Sequence, residues 1–170
     1  YAYANKYLFS ASLRRDGDSR FGKNKRYASF PSLSVGWNLH NEEFLQENET
    51  ISQLKLRYST GSIGTTAFLG SYDALSLLSP STTIFGTGYL IPSNSENPDL
   101  TWQTNTETNF GVDLGFLNNR YTLGIDYYTS DIEDILISQA QSEVLGNPSS
   151  ILNVGDVQSS GLEFQLNANM

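Results

Sequence analysis

The sequence predicts an all-β protein, a segment of an antiparallel transmembrane β-barrel. Apolar and polar residues alternate with a period of two over stretches of about ten residues, which places them on opposite faces of a strand. Ordinary strands average about five or six residues, whereas a tilted strand that crosses a bilayer needs about 9–11. Aromatic residues make up 12% of the chain although hydrophobic residues reach only 38%, as expected when every second side chain faces lipid.

Composition excludes several functional classes. No apolar run approaches the roughly 18 residues that a membrane helix requires. The chain has no Cys, which excludes disulfides, zinc thiolates and Cys nucleophiles. Its net charge of −8 argues against a nucleic-acid partner. With a single His and no Ser-His-Asp arrangement, we predict no catalytic residue, no cofactor and no bound metal ion, and we do not expect an enzyme.

The first three predicted strands cover approximately residues 2–15, 27–39 and 54–59. Tyr27 and Trp37 lie on the same face of the second strand, ten residues apart. This separation spans roughly 25 Å in a tilted strand, about the height of the apolar band between the aromatic girdles of a membrane barrel. Two core aromatics of a soluble sandwich would explain the pair equally well.

The fourth predicted strand, residues 101–116, shows the alternation most clearly. Trp102 and Phe110 lie on its apolar face, whereas Gln103, Asn105 and Glu107 lie on the other. Such a polar face is costly in a soluble core and favourable against a water-filled lumen. We therefore expect the apolar face to contact lipid and the polar face to line a lumen.

The last two predicted strands cover residues 121–130 and 162–170, and the connections between strands alternate in kind. Residues 16–26, 61–100 and 137–153 form connections that are richer in Gly and Ser and on average longer, and residues 40–52 and 117–120 form those that are on average shorter. Bacterial outer-membrane barrels have long extracellular loops and short periplasmic turns, which assigns the longer connections to the cell exterior. We predict a short hairpin within residues 82–91 and one helical turn at residues 42–45.

Short motifs follow one another along nearly the whole chain. They are Ser19-Arg20-Phe21-Gly22, Arg26, Phe30-Pro31-Ser32-Leu33-Ser34-Val35-Gly36-Trp37, Glu43-Phe44-Leu45, Leu54-Lys55-Leu56-Arg57, Gly61 with Gly64, Asn97-Pro98-Asp99-Leu100-Thr101-Trp102, Asn109-Phe110-Gly111-Val112-Asp113, Asn119-Arg120, Asp126-Tyr127-Tyr128, Asn153-Val154-Gly155 and Gly161-Leu162-Glu163. In this order and spacing they resemble the barrel of SusC-like TonB-dependent outer-membrane transporters. Thr65 and Gln103 depart from the Asn and Glu that are common in the family.

The resemblance implies a barrel of about 22 strands, an N-terminal plug and a segment that engages TonB. Because we find about six strands and none of the other parts, we expect residues 1–170 to be part of a single barrel domain, from the later half of the barrel, with the plug absent. The resemblance also implies active import of a glycan or peptide nutrient across a bacterial outer membrane. TonB would supply the energy through the missing N-terminal part, and a SusD-like surface lipoprotein would act as a lid.

Six residues are candidate contacts for a ligand or partner under this resemblance. Tyr72, Phe85 and Tyr89 lie in the longest loop, where aromatic rings stack on sugars or pack against a lid; local loop packing is the alternative. Gln103, Asn105 and Glu107 face the expected lumen and are candidate cargo contacts. The alternative for these three is that they line water or contact the plug.

Two other architectures remain open at this stage. The first is a complete eight-stranded outer-membrane barrel with a structural or adhesive role, which requires two further strands within residues 61–100. The second is a soluble β-sandwich that binds carbohydrate. The polar face of the fourth strand argues against the sandwich, because a sandwich buries one face of each sheet.

Overall fold

The computed structural model describes residues 1–45, 48, 50–83, 85–140, 142 and 149–169. Eleven strands and one short 3-10 helix, at Leu39–Asn41, occur in this part of the chain. The strands are β1 (Ala2–Tyr3), β2 (Tyr7–Gly17), β3 (Tyr27–Asn38), β4 (Ile51–Thr65), β5 (Leu77–Thr82), β6 (Gly88–Asn94), β7 (Gln103–Phe116), β8 (Tyr121–Glu133), β9 (Leu136–Ala140), β10 (Ser149–Asn153) and β11 (Val157–Ala168).

The main sheet contains seven antiparallel strands in the order β1-β2-β3-β4-β7-β8-β11. Apart from β1, each of them has 11 to 15 residues, which is enough for a tilted strand to cross a bilayer, since roughly 9–11 are needed. The remaining strands form two separate hairpins, β5-β6 and β9-β10. Within the described residues, no helix is both long and apolar enough to cross a membrane. The predicted fold class, an all-β antiparallel barrel segment, is confirmed.

The two faces of the main sheet differ in chemistry as predicted. Phe110 is 48% exposed and Phe164 is 68% exposed, and no described element covers the face on which they lie. Soluble proteins seldom expose so large an apolar surface, whereas a membrane strand turns it to lipid. The sandwich alternative is therefore wrong. Two adjacent rows of paired residues on this face are Tyr7, Trp37, Leu56, Val112, Ile125 and Phe164, and Phe9, Val35, Tyr58, Phe110, Tyr127 and Leu162.

Aromatic side chains mark both ends of the lipid-facing surface. Tyr27 lies at the end of the long connections, with the Arg15 guanidinium 5.2 Å from its ring centre. At the opposite end, Tyr7 stacks on Trp37 with the ring centres 6.1 Å apart. Amphipathic rings of this kind favour the interface between lipid and water. The pair Tyr27 and Trp37 therefore spans the apolar band, as its separation in the sequence predicts.

The predicted alternation of longer and shorter connections is only partly correct, because the connection after β3 has 12 residues and the one after β2 has nine. Residues 18–26, 66–102 and 134–156 connect strands at one end, which we call the loop end, and residues 4–6, 39–50 and 117–120 connect them at the other, the turn end. The hairpin predicted within residues 82–91 exists, but it is longer and includes β5 and β6. Because β5 and β6 pair only with each other, they add no strand to the main sheet. The eight-stranded alternative required two further strands in this segment, so the structure does not support it.

Several predicted boundaries are wrong. The first strand begins at Tyr7, because Ala4 and Asn5 adopt positive φ angles of 50° and 52° and turn residues 2–3 back to form β1. The third strand extends to Thr65, because it pairs with β7 along its whole length and cross-strand hydroxyl pairs such as Thr60–Thr108, at 2.9 Å, join the two strands. This pairing outweighs the low strand propensity of the Gly and Ser residues there.

The end of the chain also differs from the prediction. Residues 136–140 and 149–153 form a hairpin in the segment expected to be an open loop, and the last strand begins at Val157. The fifth strand extends to Glu133. A turn closed by a hydrogen bond of 2.9 Å from the Leu45 amide to the Glu42 carbonyl occupies the position of the predicted helical turn. Met170, Gln141 and residues 143–148, which belong to the predicted last strand and loop, lie outside the described residues.

Candidate functional site: the loop end and the polar face

An aromatic cluster anchors the loop end of the sheet. The ring of Trp102 lies 4.5 Å from that of Phe21 and 5.7 Å from that of Phe30, measured between ring centres. All three side chains are at most 6% exposed. The alternation pattern predicted that Trp102 would face lipid, which is wrong. Trp102 precedes the first paired residue of β7, so the alternation of faces does not apply to it, and it packs under the loops.

The first long loop is held directly against the segment that precedes β7. The Gly22 amide donates a hydrogen bond of 3.0 Å to the Leu100 carbonyl, and the Asn24 amide donates one of 3.3 Å to the Pro98 carbonyl. A Cβ atom at Gly22 would overlap the carbonyl group of Pro98, so only glycine fits at this position. The contact joins two motifs that are far apart in the sequence, at residues 19–22 and 97–102.

Two asparagine side chains connect the remaining loops to this contact. Asn97 donates from Nδ2 to the Ile151 carbonyl at 3.1 Å. The Asn153 side chain bonds both backbone groups of Thr101, accepting from its amide at 2.9 Å and donating to its carbonyl at 2.9 Å. An asparagine amide can replace a strand partner in this way because it carries both a donor and an acceptor. The loop end is consequently a packed layer and not a set of independent loops.

Arg20 adds an ionic contact to the same layer. Its guanidinium donates to both carboxylate oxygens of Asp18, with the shortest distance 2.7 Å, and its Nη1 donates to the Leu69 carbonyl at 3.1 Å. The hydrogen bonds from Arg20 lower the pKa of the Asp18 carboxyl below its ordinary value. Arg20 thus connects the first loop to the longest one, and its charge is already balanced.

The polar face carries an ion network across three strands. Arg57 on β4 binds Asp113 on β7 through two hydrogen bonds, of 2.8 and 2.9 Å, and reaches Asp126 on β8 at 3.1 Å. Gly111 lies between Arg57 and Asp126 in the same row, and a Cβ there would lie 2.8 Å from the guanidinium carbon. Sequence reasoning missed this network, although Arg57 and Asp113 both occupy the predicted polar faces of their strands.

The structure places Gln103, Asn105 and Glu107 on the predicted polar face of β7. Gln103 accepts a hydrogen bond of 3.2 Å from the Leu136 amide, and Asn105 accepts one of 2.9 Å from the Ser130 hydroxyl. Glu107 is exposed and forms no hydrogen bond or ion pair within the described residues. It borders a shallow cleft with hydroxyl and amide groups, which are those of Ser10, Ser32, Ser34, Ser59 and Asn109.

The three predicted loop aromatics do not form one site. Phe85 lies in the turn between β5 and β6 and is 87% exposed, and Tyr89, on β6, is 46% exposed. Tyr72 is 63% exposed and lines a separate cavity of about 210 Å³ beneath the first loop. Lys23, Arg26 and Glu96 line the same cavity. Sequence reasoning missed these three, because they come from two loops and no periodic pattern connects them.

The turn end is organised around Glu42. Its carboxylate accepts hydrogen bonds from Lys6 Nζ at 2.9 Å, from the Tyr7 hydroxyl at 2.8 Å and from Trp37 Nε1 at 3.0 Å. These bonds, the one from Lys6 first, lower the pKa of Glu42 from 4.5 to about 2. Glu42 therefore holds the turn before β2 against the connection after β3.

Replacing Glu42 with Gln is expected to remove a pH-dependent part of the stability. A carboxylate whose pKa is lowered by folding stabilises the protein above its unfolded pKa of about 4.5, and this contribution is lost as the pH falls towards 2. The difference in free energy of unfolding between wild type and Glu42→Gln should therefore be constant above about pH 5 and shrink below it. Urea unfolding of the full-length protein in detergent, measured across pH 2–7, checks this.

The matched control is Glu43→Gln, which removes the same charge from the neighbouring position. Glu43 is exposed and has no ion pair within the described residues. We expect this variant to unfold like wild type at neutral pH. A difference between wild type and Glu42→Gln that does not change with pH would contradict the prediction.

Together these features define a class of protein. A large membrane β-barrel has antiparallel strands long enough to cross a bilayer, an apolar side that faces lipid, a polar inner side and a layer of long loops. The main sheet and the loop end have all four features. The family model described as "TonB dependent receptor-like, beta-barrel" matches residues 1–169, and the chain belongs to this family. This is a family of receptors of the Gram-negative outer membrane and not a class of enzymes.

Individual relatives agree with this assignment. The TonB-dependent receptor P3 of Formosa agariphila is 36% identical over 171 residues, which cover 99% of this chain and 17% of that protein. The TonB-dependent receptor SusC of Bacteroides thetaiotaomicron is 36% identical over 175 residues, which cover 99% of this chain and 17% of that protein. The chain thus spans about a sixth of the length of these curated relatives.

Solved structures show the same fold. A structure of the RagAB peptide transporter matches with a TM-score of 0.86 at 30% identity, covering 99% of this chain and 18% of that one. The siderophore receptor PirA from Pseudomonas aeruginosa matches with a TM-score of 0.58 at 18% identity, covering 94% of this chain and 28% of that one. The likeness to PirA is one of fold alone.

Proposed function

We propose that the chain forms part of the wall and loop end of a SusC-like TonB-dependent transporter that imports a nutrient across the outer membrane. The observation that carries this proposal is membership of the receptor family over residues 1–169, joined to a sheet with one lipid-facing and one polar side. Energy is supplied through TonB, which acts on a part of the protein outside residues 1–170. Under the same proposal, residues 1–170 belong to a single barrel domain and the plug is a separate domain.

The cargo in this proposal is a glycan or a peptide, and a SusD-like surface lipoprotein is the partner. The similarity to SusC and to the RagAB peptide transporter supports these choices. Exposed aromatic rings at the loop end, such as Phe85 and Tyr89, supply the apolar area that a lid or a sugar ring contacts. Tyr72 serves the same purpose at the cavity beneath the first loop.

The polar face of β7 contributes the lumenal contacts in this proposal. Gln103 and Asn105 each accept one hydrogen bond from a neighbouring loop or strand, so the amide oxygen of each side chain is already engaged and its NH2 group supplies the remaining donors. Glu107 retains its full capacity to accept hydrogen bonds and lies beside a cleft of Ser hydroxyls. We therefore assign the principal lumenal contact to Glu107.

An uptake experiment on intact cells tests the function. Labelled oligosaccharides and oligopeptides are supplied to cells that carry the full-length receptor, to cells in which its gene is deleted, and to wild-type cells treated with a protonophore. We expect uptake of one cargo class to depend on both the receptor and the proton gradient. Uptake that is unchanged by the deletion for every cargo supplied would overturn the proposal.

A further inference from the structure

A small charged cavity lies beneath the first long loop. Its volume is about 210 Å³, and its wall combines residues of the first loop with Ser71, Tyr72, Ala74, Leu75, Glu96 and Pro98. The charged groups that line it are Arg20, Lys23, Arg26 and Glu96. Three cations against one anion contrast with the net charge of −8 for the whole chain.

The cations at this cavity are not all neutralised. Arg20 is paired with Asp18, at 2.7 Å. Lys23 and Arg26 take part in none of the ion pairs within the described residues. Two cations therefore face the cavity against the single carboxylate of Glu96.

The neighbouring acids Asp73 and Asp99 do not line the cavity, and each of their carboxylates accepts a hydrogen bond from another group. Asp73 accepts a hydrogen bond of 2.6 Å from the Gly70 amide, and Asp99 accepts one of 2.9 Å from the Asn24 side chain. Asp18 is held by Arg20. The lining of the cavity consequently includes two cationic donor groups, those of Lys23 and Arg26, that take part in no ion pair within the described residues.

Its size limits what it can hold. Cavities that bind drug-sized ligands occupy about 300–1,000 Å³, so 210 Å³ accommodates one sugar ring or one amino-acid side chain. Tyr72 offers a ring face or a hydroxyl at the wall, and Lys23 and Arg26 offer charge-assisted hydrogen bonds, which a carboxylate accepts strongly.

We propose that this cavity binds a carboxylate-bearing unit of the cargo, through Lys23 and Arg26. This inference rests on the proposed import function, because it specifies the chemistry of the cargo at the loop end. A uronic acid of a glycan and an acidic side chain of a peptide carry the same group. The two sources are separated by the experiment.

The experiment measures equilibrium binding to the purified full-length receptor in detergent, by calorimetry or ligand-observed NMR. Glucuronate is compared with glucose, and acetylated aspartate amide with acetylated asparagine amide. We expect at least about tenfold tighter binding of the charged member of one pair, a preference that weakens as salt is raised. The pair that shows the preference identifies the source of the carboxylate.

Variants locate the binding at the cavity. The double variant Lys23→Gln/Arg26→Gln should bind the charged and neutral members equally. Lys25→Gln removes a cation from the same loop at a position that does not line the cavity, and should retain the preference. Unchanged heat-dependent gel mobility shows that each variant is folded.

Two results would overturn the inference. One is equal binding of charged and neutral members by wild type, and the other is a preference that survives in the double variant. Binding to the purified receptor requires neither TonB nor a proton gradient, so it is measured independently of uptake. Absence of receptor-dependent import would overturn the proposed function, whereas absence of a charge preference in the wild-type receptor, with import intact, would overturn only the carboxylate site.

Discussion

Replacing Trp102 with Ala is expected to destabilise the loop end by about 3–5 kcal/mol, the range measured for large aromatic residues truncated in a packed core. Trp102 is 6% exposed and contacts both Phe21 and Phe30. Its removal leaves a cavity that the surrounding strands cannot close, because each is held by its neighbours in the sheet. Chemical unfolding of the full-length receptor in detergent, followed by Trp fluorescence and gel mobility, measures the loss.

The control variant Trp102→Phe separates packing from hydrogen bonding. The Nε1 atom of Trp102 is buried without a hydrogen-bond partner in the described residues, so Phe loses part of the packing and no bond. Trp37 differs, because its Nε1 donates to Glu42 at 3.0 Å. We expect Trp102→Phe to retain most of the stability lost in Trp102→Ala. Equal stability of wild type and Trp102→Ala would refute the role of the cluster.

The sequence predicts the sheet well wherever a strand with an alternating pattern pairs with a neighbouring strand on each side. The alternation along residues 103–116 places Phe110 towards lipid and Glu107 towards the lumen, and the structure agrees. The period of two has a physical cause, since each strand separates lipid from water along its whole length. The existence of the strands and the assignment of their faces both follow from it.

The same reasoning fails where the pairing ends. Trp102 continues the alternation in the sequence but precedes β7, and tertiary packing determines its position. The cavity formed by Lys23, Arg26 and Glu96 joins residues about 70 positions apart along the chain. No local pattern predicts such a site, because charges in loops are ordinarily solvated, and only the folded loop layer brings these three together.

Several motifs that make the chain recognisable prove to be contact partners. Arg57, Gly111 and Asp126 belong to three separate motifs and form one ion network on the polar face. The motifs at residues 19–22 and 97–102 meet in the loop layer. Five of the short motifs are therefore partners in long-range contacts within the sheet and the loop layer.

Gly22→Ala is expected to separate the first loop from the segment before β7. The added methyl group overlaps the Pro98 carbonyl, which is backbone and cannot rotate away. Relief of this overlap sacrifices the bond from the Gly22 amide to Leu100, at 3.0 Å, and overpacking of this kind costs about 1–3 kcal/mol. Because the strands are unaffected, we expect the receptor to insert normally and its loop layer to open.

Protease accessibility on intact cells measures that opening. Gly22→Ala should be cleaved within residues 66–102 more rapidly than wild type, while the amount of folded receptor in the membrane stays the same. Gly88→Ala adds the same methyl group to a loop-end glycine that has nothing within 4 Å of the new atom, and it should be cleaved at the wild-type rate. Equal cleavage of Gly22→Ala and Gly88→Ala would mean that the contact between residues 22 and 98 does not hold the layer closed. Slower cleavage of both together would instead indicate that the added methyl groups act by limiting backbone freedom in the loops.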